Sequence, residues 1–178
     1  MSAALARRCV HTALAGGAFL LPLIAWWVAA GALVLAALFN AAVLAPRGWL
    51  ARRDGPGTRG LVLYPLVLAL LTLVFQERCF TVQCAWFALA VGDGLAPLFR
   101  HGGLSWPWRR DKEIGASVLA YALAILLMLS VVAWPVALAA GVSGMLAETA
   151  PPALDDNLTV PVAAALGAMV ADGSAWAG

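Results

Sequence analysis

The chain has 178 residues, a formal net charge of +2, 63% hydrophobic and only 11% charged residues, and a mean hydropathy of +0.91. Soluble domains carry about 25% charged residues, so the composition excludes a soluble globular protein and predicts an all-α, polytopic membrane bundle whose chemistry is done on the helices or their short loops. Residues 1–178 fit one integral membrane domain, and the small net charge gives no reason for a nucleic-acid partner.

In chain order, apolar runs predict about seven transmembrane spans, near residues 10–25, 27–45, 60–75, 80–98, 114–133, 135–149 and 158–174. The first run follows Arg7 and Arg8, and Val28 to Ala32 has the small residues of a signal cleavage site. Apolar sequence continues to Ala45, which fits two retained spans better than a removed leader. A span of about 16 residues rises only about 24 Å against a hydrocarbon core of about 30 Å. Some spans are therefore expected to start or stop inside the bundle, where polar backbone can line a cavity. Pro22, Pro65, Pro97, Pro135 and Pro161 fall near span ends or first turns, where a missing N–H does least harm. Trp26, Trp27, Trp134 and Trp176 are expected at one membrane interface and Trp49, Trp106 and Trp108 at the other. Cys9, Cys79 and Cys84 lack the paired spacing of a zinc site and read as packing residues.

The basic residues set an orientation. With seven spans, Arg7, Arg8, Arg47, Arg52, Arg53, Arg59, Arg100, Arg109, Arg110 and Lys112 share one side and Arg78 alone lies opposite. The positive-inside rule makes the first side, and the N-terminus with it, cytoplasmic. The expected location is a bacterial-type inner (cell) membrane. Asp54, Asp93, Asp111, Glu113, Glu148, Asp155 and Asp156 fall on the same side, leaving Glu77 and Asp172 opposite. Charge bias explains the arginines but does not ask for carboxylates beside them.

Asp93 stands out, in Val91-Gly92-Asp93-Gly94-Leu95-Ala96 at the end of an apolar run. A carboxylate at membrane depth costs at least a few kcal/mol unless paired, hydrated or metal-bound. Gly92 and Gly94 permit a turn or close approach of backbone to a ligand, and the basic stretch from Arg100 to Lys112 points to a polyanion. The second notable segment runs from Glu148 to Pro161 and contains Asp155-Asp156-Asn157. Its carboxylates and amide are hard oxygen ligands suited to Mg²⁺ with substrate phosphates. The competing reading is an N-cap on the last span by Asp155 or Asn157, with Pro161 in its first turn. Arg109 and Arg110 read more readily as topogenic or headgroup contacts than as site residues.

Arg7-Arg8-Cys9-Val10-His11, Gly60 to Pro65, Gly92-Asp93-Gly94, Lys112 with Gly115 and Ser117, and Glu148 with Asp155-Asp156-Asn157-Leu-Thr159-Val-Pro161 occur in the order seen in the phytol kinase and dolichol kinase family, which is related to the CDP-diacylglycerol synthases. The chain resembles that family over nearly its whole length. The resemblance implies a membrane enzyme that transfers the terminal phosphoryl group of a nucleotide, typically CTP, to a long-chain isoprenoid or other lipid alcohol, with Mg²⁺ or another divalent cation. On this reading Asp93, Asp155 and Asp156 hold the metal, and Asp93, Asp156 and Lys112 are catalytic. Gly92, Gly94, Arg100, Lys112, Ser117 and Asn157 contact nucleotide phosphates, with Arg109 a further phosphate contact. His11 and Glu148 are further candidates, Glu148 sharing with Asp156 the task of accepting the alcohol proton. One segment departs from the family pattern: Lys is usually followed by Ser or Thr, two variable residues, Gly and a hydroxyl residue, whereas here the order is Lys112-Glu113-Ile114-Gly115-Ala116-Ser117. No Gly-x-x-x-x-Gly-Lys-Ser/Thr is present, so a P-loop enzyme is excluded. The alternatives are a lipid-phosphate cytidylyltransferase making a CDP-lipid, and a transporter or non-catalytic membrane subunit, for which no inverted repeat is visible. Nothing in the sequence sets an oligomeric state.

Overall fold

Long apolar runs with no internal polar face leave the backbone one way to satisfy its hydrogen bonds without water, which is to coil within each segment. The computed structural model describes residues 9–45, 59–151 and 154–173. These form α1 (Cys9–Leu23), α2 (Trp26–Leu44), α3 (Arg59–Phe75), α4 (Cys79–Leu98), a hairpin of β1 (Ser105–Trp106) and β2 (Arg109–Glu113), α5 (Ile114–Met128), α6 (Trp134–Thr149) and α7 (Asp156–Asp172). Each helix coincides with one expected span. The molecule is mostly helical (80%), and the hairpin is the one feature the sequence reading did not contain.

Two helices, α2 and α4, are long and apolar enough to cross a membrane, while α1, α3 and α5 are apolar but shorter. Of the roughly seven spans expected, several of them short, two described helices have the length and apolarity to cross a membrane. The physical reason is rise: α3, at 17 residues, extends about 25 Å, short of a hydrocarbon core of about 30 Å. α5 stops at Met128 instead of running to residue 133, and the Ser130 hydroxyl donates back to the Leu127 carbonyl at 2.6 Å in the turn that follows.

α4 is the axis of the bundle. Of its most apolar stretch 78% is buried, against 22% for α2 at the periphery. Small residues let the neighbours close on it: Ala137, Ala140, Gly141 and Gly144 on α6 and Ala164, Ala165 and Ala168 on α7 are all buried. The outward faces are apolar as well, with Leu35 and Leu38, Leu70 and Val74, Leu126, Leu146, Leu166 and Val170 exposed. Helices apolar on every side belong in lipid or a large core. Trp27 and Trp134 are exposed as an interfacial belt requires; Trp49, Trp176, Arg7, Arg8, Arg47, Arg52, Arg53 and Asp54 lie outside the described residues. Of the cysteines, Cys84 is buried and Cys79 packs at the edge of the core, but Cys9 is exposed and is not a packing residue.

The helical hydrogen bonding of α4 widens to π turns over Ala88–Asp93 and tightens to 3₁₀ at Ala96–Leu98. Such irregular turns recur at functional sites. Gly92 and Gly94 lie within this stretch at helical dihedrals, since positive φ is confined to Gly102 and Gly173 among the described residues. Their use is steric. A Cβ on Gly92 would stand 2.6 Å from the Tyr121 ring, and one on Gly94 would stand 3.0 Å from His11 Cδ2 and 3.1 Å from Thr12 Oγ1. On the side where a Cβ would stand, both glycines are therefore covered by protein side chains.

Gly92→Ala is expected to lower stability by about 1–3 kcal/mol through overpacking against Tyr121, whereas Gly115→Ala, with nothing within 4 Å of the added methyl, should leave stability unchanged or slightly raised. Chemical unfolding of both variants in the same detergent checks the contrast.

Candidate active site

The hairpin delivers cations to one end of the bundle. Its strands pair Ser105 with Glu113 and Trp106 with Arg109, so Arg110, Asp111 and Lys112 are unmatched and bulge from β2. In a regular strand Arg109 and Lys112 would point to opposite faces. The bulge re-aims them, a common use of bulges beside active sites, and both reach the same carboxylate: Arg109 Nη2 lies 3.4 Å and Lys112 Nζ 3.0 Å from Asp156 Oδ2. Arg109 is tied down further by Asp111 Oδ1 at 3.1 Å and the Ala150 carbonyl at 3.0 Å. Trp108 Nε1 donates to the Thr149 carbonyl at 2.7 Å. The hairpin is thus fastened to the end of α6.

Lys112 is the centre of the site. Its ammonium lies 2.8 Å from Glu148 Oε1, 3.0 Å from Asp156 Oδ2 and 3.4 Å from Asp93 Oδ1. The three carboxylates come from α6, the first residue of α7, and the π-helical end of α4. The Lys112 side chain is only 13% exposed and Glu148 is fully buried. Burial works against the ammonium, but Asp93, Glu148 and Asp156 together outweigh it and hold the Lys112 pKa above the ordinary lysine value. For a raised lysine the stabilisation is complete below the unfolded pKa and lost only as pH rises through the folded value, so the ammonium is fully charged near neutrality. Arg109 and Asp111 behave likewise: burial opposes both charges, and their mutual pairing raises the first and lowers the second.

Among the described residues this cluster joins four carboxylates, Asp93, Asp111, Glu148 and Asp156, to two cations, Arg109 and Lys112. Counted as formal charges, this is an excess of two negatives, with Asp111 on the exposed side of the cluster. Glu148 Oε2 is also buried with no hydrogen-bond partner. Hard oxygens with that excess suit a divalent cation that also holds substrate phosphates, so the residues fit Mg²⁺ in chemistry. Their arrangement here is about the ammonium, and no described group of three or more acidic, His or Cys side chains is drawn into a metal cage.

The sequence-predicted residues separate into those the fold gathers and those it does not. Asp93, Lys112, Glu148 and Asp156 meet. Asp155 does not: it is exposed and caps α7, its Oδ1 accepting from the Asn157 backbone N–H at 2.9 Å and from Asn157 Nδ2 at 2.8 Å. Asp155 thus takes the N-cap position that was the competing reading of the sequence, and Asn157 is its partner, packed over Gly60. His11 Nε2 is 3.1 Å from the Leu89 carbonyl and its ring meets Tyr64 edge-on at 4.5 Å, joining α1 to α4 and α3 beside the site. Arg100 lies outside the carboxylate cluster, 3.6 Å from Glu113. Ser117 is buried with its hydroxyl unpaired.

Glu113, the residue that departs from the family pattern, has its own structural task. Its carboxylate accepts from the backbone N–H groups of His101, Gly102 and Gly103 at 3.0, 3.0 and 3.2 Å. These bonds, with Arg100, hold its pKa below the ordinary value and close the 101–103 turn onto the hairpin. Gly115, one position early, meets no crowding that requires glycine. Arg109, read from the sequence as a topogenic or headgroup residue before a phosphate contact, is buried and paired with Asp111 and Asp156; what the sequence reading did not contain is this ion pairing, whose signal was the alternation Arg109-x-Asp111.

Lys112→Met should cost about 3–5 kcal/mol by leaving buried carboxylates without a counter-charge, measured as a lowered denaturant midpoint near pH 7. Because the folded pKa of Glu113 is depressed, its clasp is complete above about pH 4.5 and is lost as pH falls through the lower folded value. Amide exchange at His101, Gly102 and Gly103 should speed up across that acid window relative to the rest of the chain, and Glu113→Gln should show the same acceleration at neutral pH. Comparison of the chain with family models, with curated proteins and with solved structures finds no match.

Proposed function

We propose that this protein is an integral membrane enzyme that transfers the terminal phosphoryl group of CTP to the hydroxyl of a long-chain isoprenoid or other lipid alcohol. Its seven helices would alternate through the bilayer from a cytoplasmic N-terminus, with the site on the cytoplasmic face of a bacterial-type inner membrane, where nucleotide is available. The observation that carries the reading is a single lysine, only 13% exposed, held by carboxylates from three helices, in a cluster with two more formal negative than positive charges. The order of motifs in the sequence supports it.

Phosphoryl transfer asks a protein mainly to align donor and acceptor and to balance charge. Asp93 and Asp156 are the residues that would hold Mg²⁺, which when bound neutralises donor phosphate oxygens. Lys112 supplies a point charge fixed by its three carboxylates, and Arg109 holds Asp156 in place. The alcohol oxygen forms the new P–O bond to the terminal phosphorus, the bridging P–O bond breaks, and CDP leaves with the electron pair. The hydroxyl proton goes to Glu148, whose Oε2 has no other partner, in preference to Asp156, whose Oδ2 is engaged by both Lys112 and Arg109.

Purified protein with Mg²⁺ and CTP labelled on the terminal phosphate should move label into an organic-extractable alcohol from a panel of phytol, geranylgeraniol, longer polyprenols and diacylglycerol. Asp93→Asn should stop transfer, and Glu148→Gln should slow it by about 10²–10⁴-fold, the usual contribution of a proton-transfer residue. Entry of cytidine label instead would establish a cytidylyltransferase, and flux into vesicles without lipid product a transporter; either result sinks the kinase reading.

A further inference from the structure

Among the buried polar atoms without a hydrogen-bond partner are Ser117 Oγ, Tyr121 Oη and Glu148 Oε2, the last on the carboxylate that meets Lys112. Ser117 and Tyr121 are 1% exposed and Glu148 is 0% exposed. Buried polar groups are nearly always paired, so such orphans call for a ligand or an ordered water.

Their placement follows from the helices. Ser117 and Tyr121 are one turn apart on the same face of α5, which begins immediately after β2 and Lys112. The Tyr121 ring fills the slots over Gly92 on α4 and Gly144 on α6, where an added Cβ would lie 2.6 and 3.1 Å from it. Gly92 precedes Asp93, and Glu148 is one turn beyond Gly144 on the same face of α6. Helical side chains lean toward their own N-terminus, so Tyr121 leans toward the Lys112 end of α5, while Glu148, near the C-terminus of α6, leans inward from that end. The Tyr121 hydroxyl accordingly lies in the field of Glu148, Asp93 and Asp156.

We infer that Ser117, Tyr121 and Glu148 form the subsite for the acceptor's hydroxyl group, an inference that rests on the reading of the preceding subsection. Two hydroxyls and one carboxylate oxygen complement a neutral alcohol. The alcohol O–H donates to Glu148 Oε2, and its lone pairs accept from Tyr121 and Ser117. An anion is repelled by Glu148, so the donor phosphates stay with Lys112 and the acceptor sits deeper in the bundle, where an apolar tail belongs. Tyr121 and Ser117 are positioning and specificity residues, and they separate a lipid alcohol from water by the tail it carries.

The test is binding of tritiated geranylgeraniol to the full chain in nanodiscs, with geranylgeraniol and its methyl ether as competitors. The ether should compete about tenfold more weakly, the loss of roughly one hydrogen bond to a charged group. Tyr121→Phe should weaken alcohol binding about tenfold and raise the alcohol KM while leaving Mg-CTP binding and the CTP KM unchanged. Ser117→Ala carries the same comparison if Tyr121→Phe does not fold. Equal competition by alcohol and ether means that the three atoms hold water, and overturns the proposal; so does wild-type alcohol affinity in both variants. Discrimination that depends on Tyr121 without label transfer from CTP sinks the kinase reading alone, whereas transfer with an unaltered alcohol KM in both variants sinks the subsite alone.

Discussion

An ammonium held among three carboxylates at the end of a lipid-like bundle is the constraint on which the other features depend. Taking such an ion out of water costs several kcal/mol even after relaxation. Charge-assisted hydrogen bonds contribute about 1.5–3 kcal/mol each, so one partner does not offset the burial of Lys112 and three can. Those partners must come from separate helices, because a single helix cannot place three carboxylates around one point. α4, α6 and α7 are therefore locked together at this end by Lys112, and their small residues permit the close approach that the contacts need.

The hairpin solves the problem of delivery. A lysine on one of the packed helices would have brought its own backbone into the crowded centre. A bulged strand instead lowers Lys112 onto the ends of the helices, while Arg109 and Trp108 fasten the strand to the carbonyls at the end of α6. Glu113 then folds the preceding turn against it. The acidic residue that breaks the expected Lys-Ser/Thr pattern is thus accounted for by a local demand of the hairpin, with Lys112 still delivered to the carboxylates.

The site is polarised in depth. Arg109, Asp111 and Lys112 belong to the hairpin, whereas Glu148, Tyr121 and Ser117, on the helices, each carry a buried oxygen with no hydrogen-bond partner. The irregular end of α4 places Asp93 at the boundary between the two, with His11, Tyr64 and Trp86 bracing it through a chain of contacts across α1 and α3.

By itself the sequence determined the helices and the end of the bundle where charge collects. Uninterrupted apolar runs can satisfy their backbones in only one way, and alternation through the chain sends Asp93, Lys112, Glu148 and Asp156 to the same end. It did not determine which side chains meet there. Asp155 and Asp156 are neighbours, yet the first sits outside the helix as its cap and the second turns inward, a difference set by where α7 begins. Gly92 and Gly94 each leave room for a neighbouring side chain, Tyr121 and His11. The expected shortness of several spans holds, and the largest difference in length is that α5 stops at Met128. Only the tertiary structure decided these points, because each depends on a contact between residues distant in sequence, as Lys112 and Asp156 are, and on a bulge whose register has no local signature.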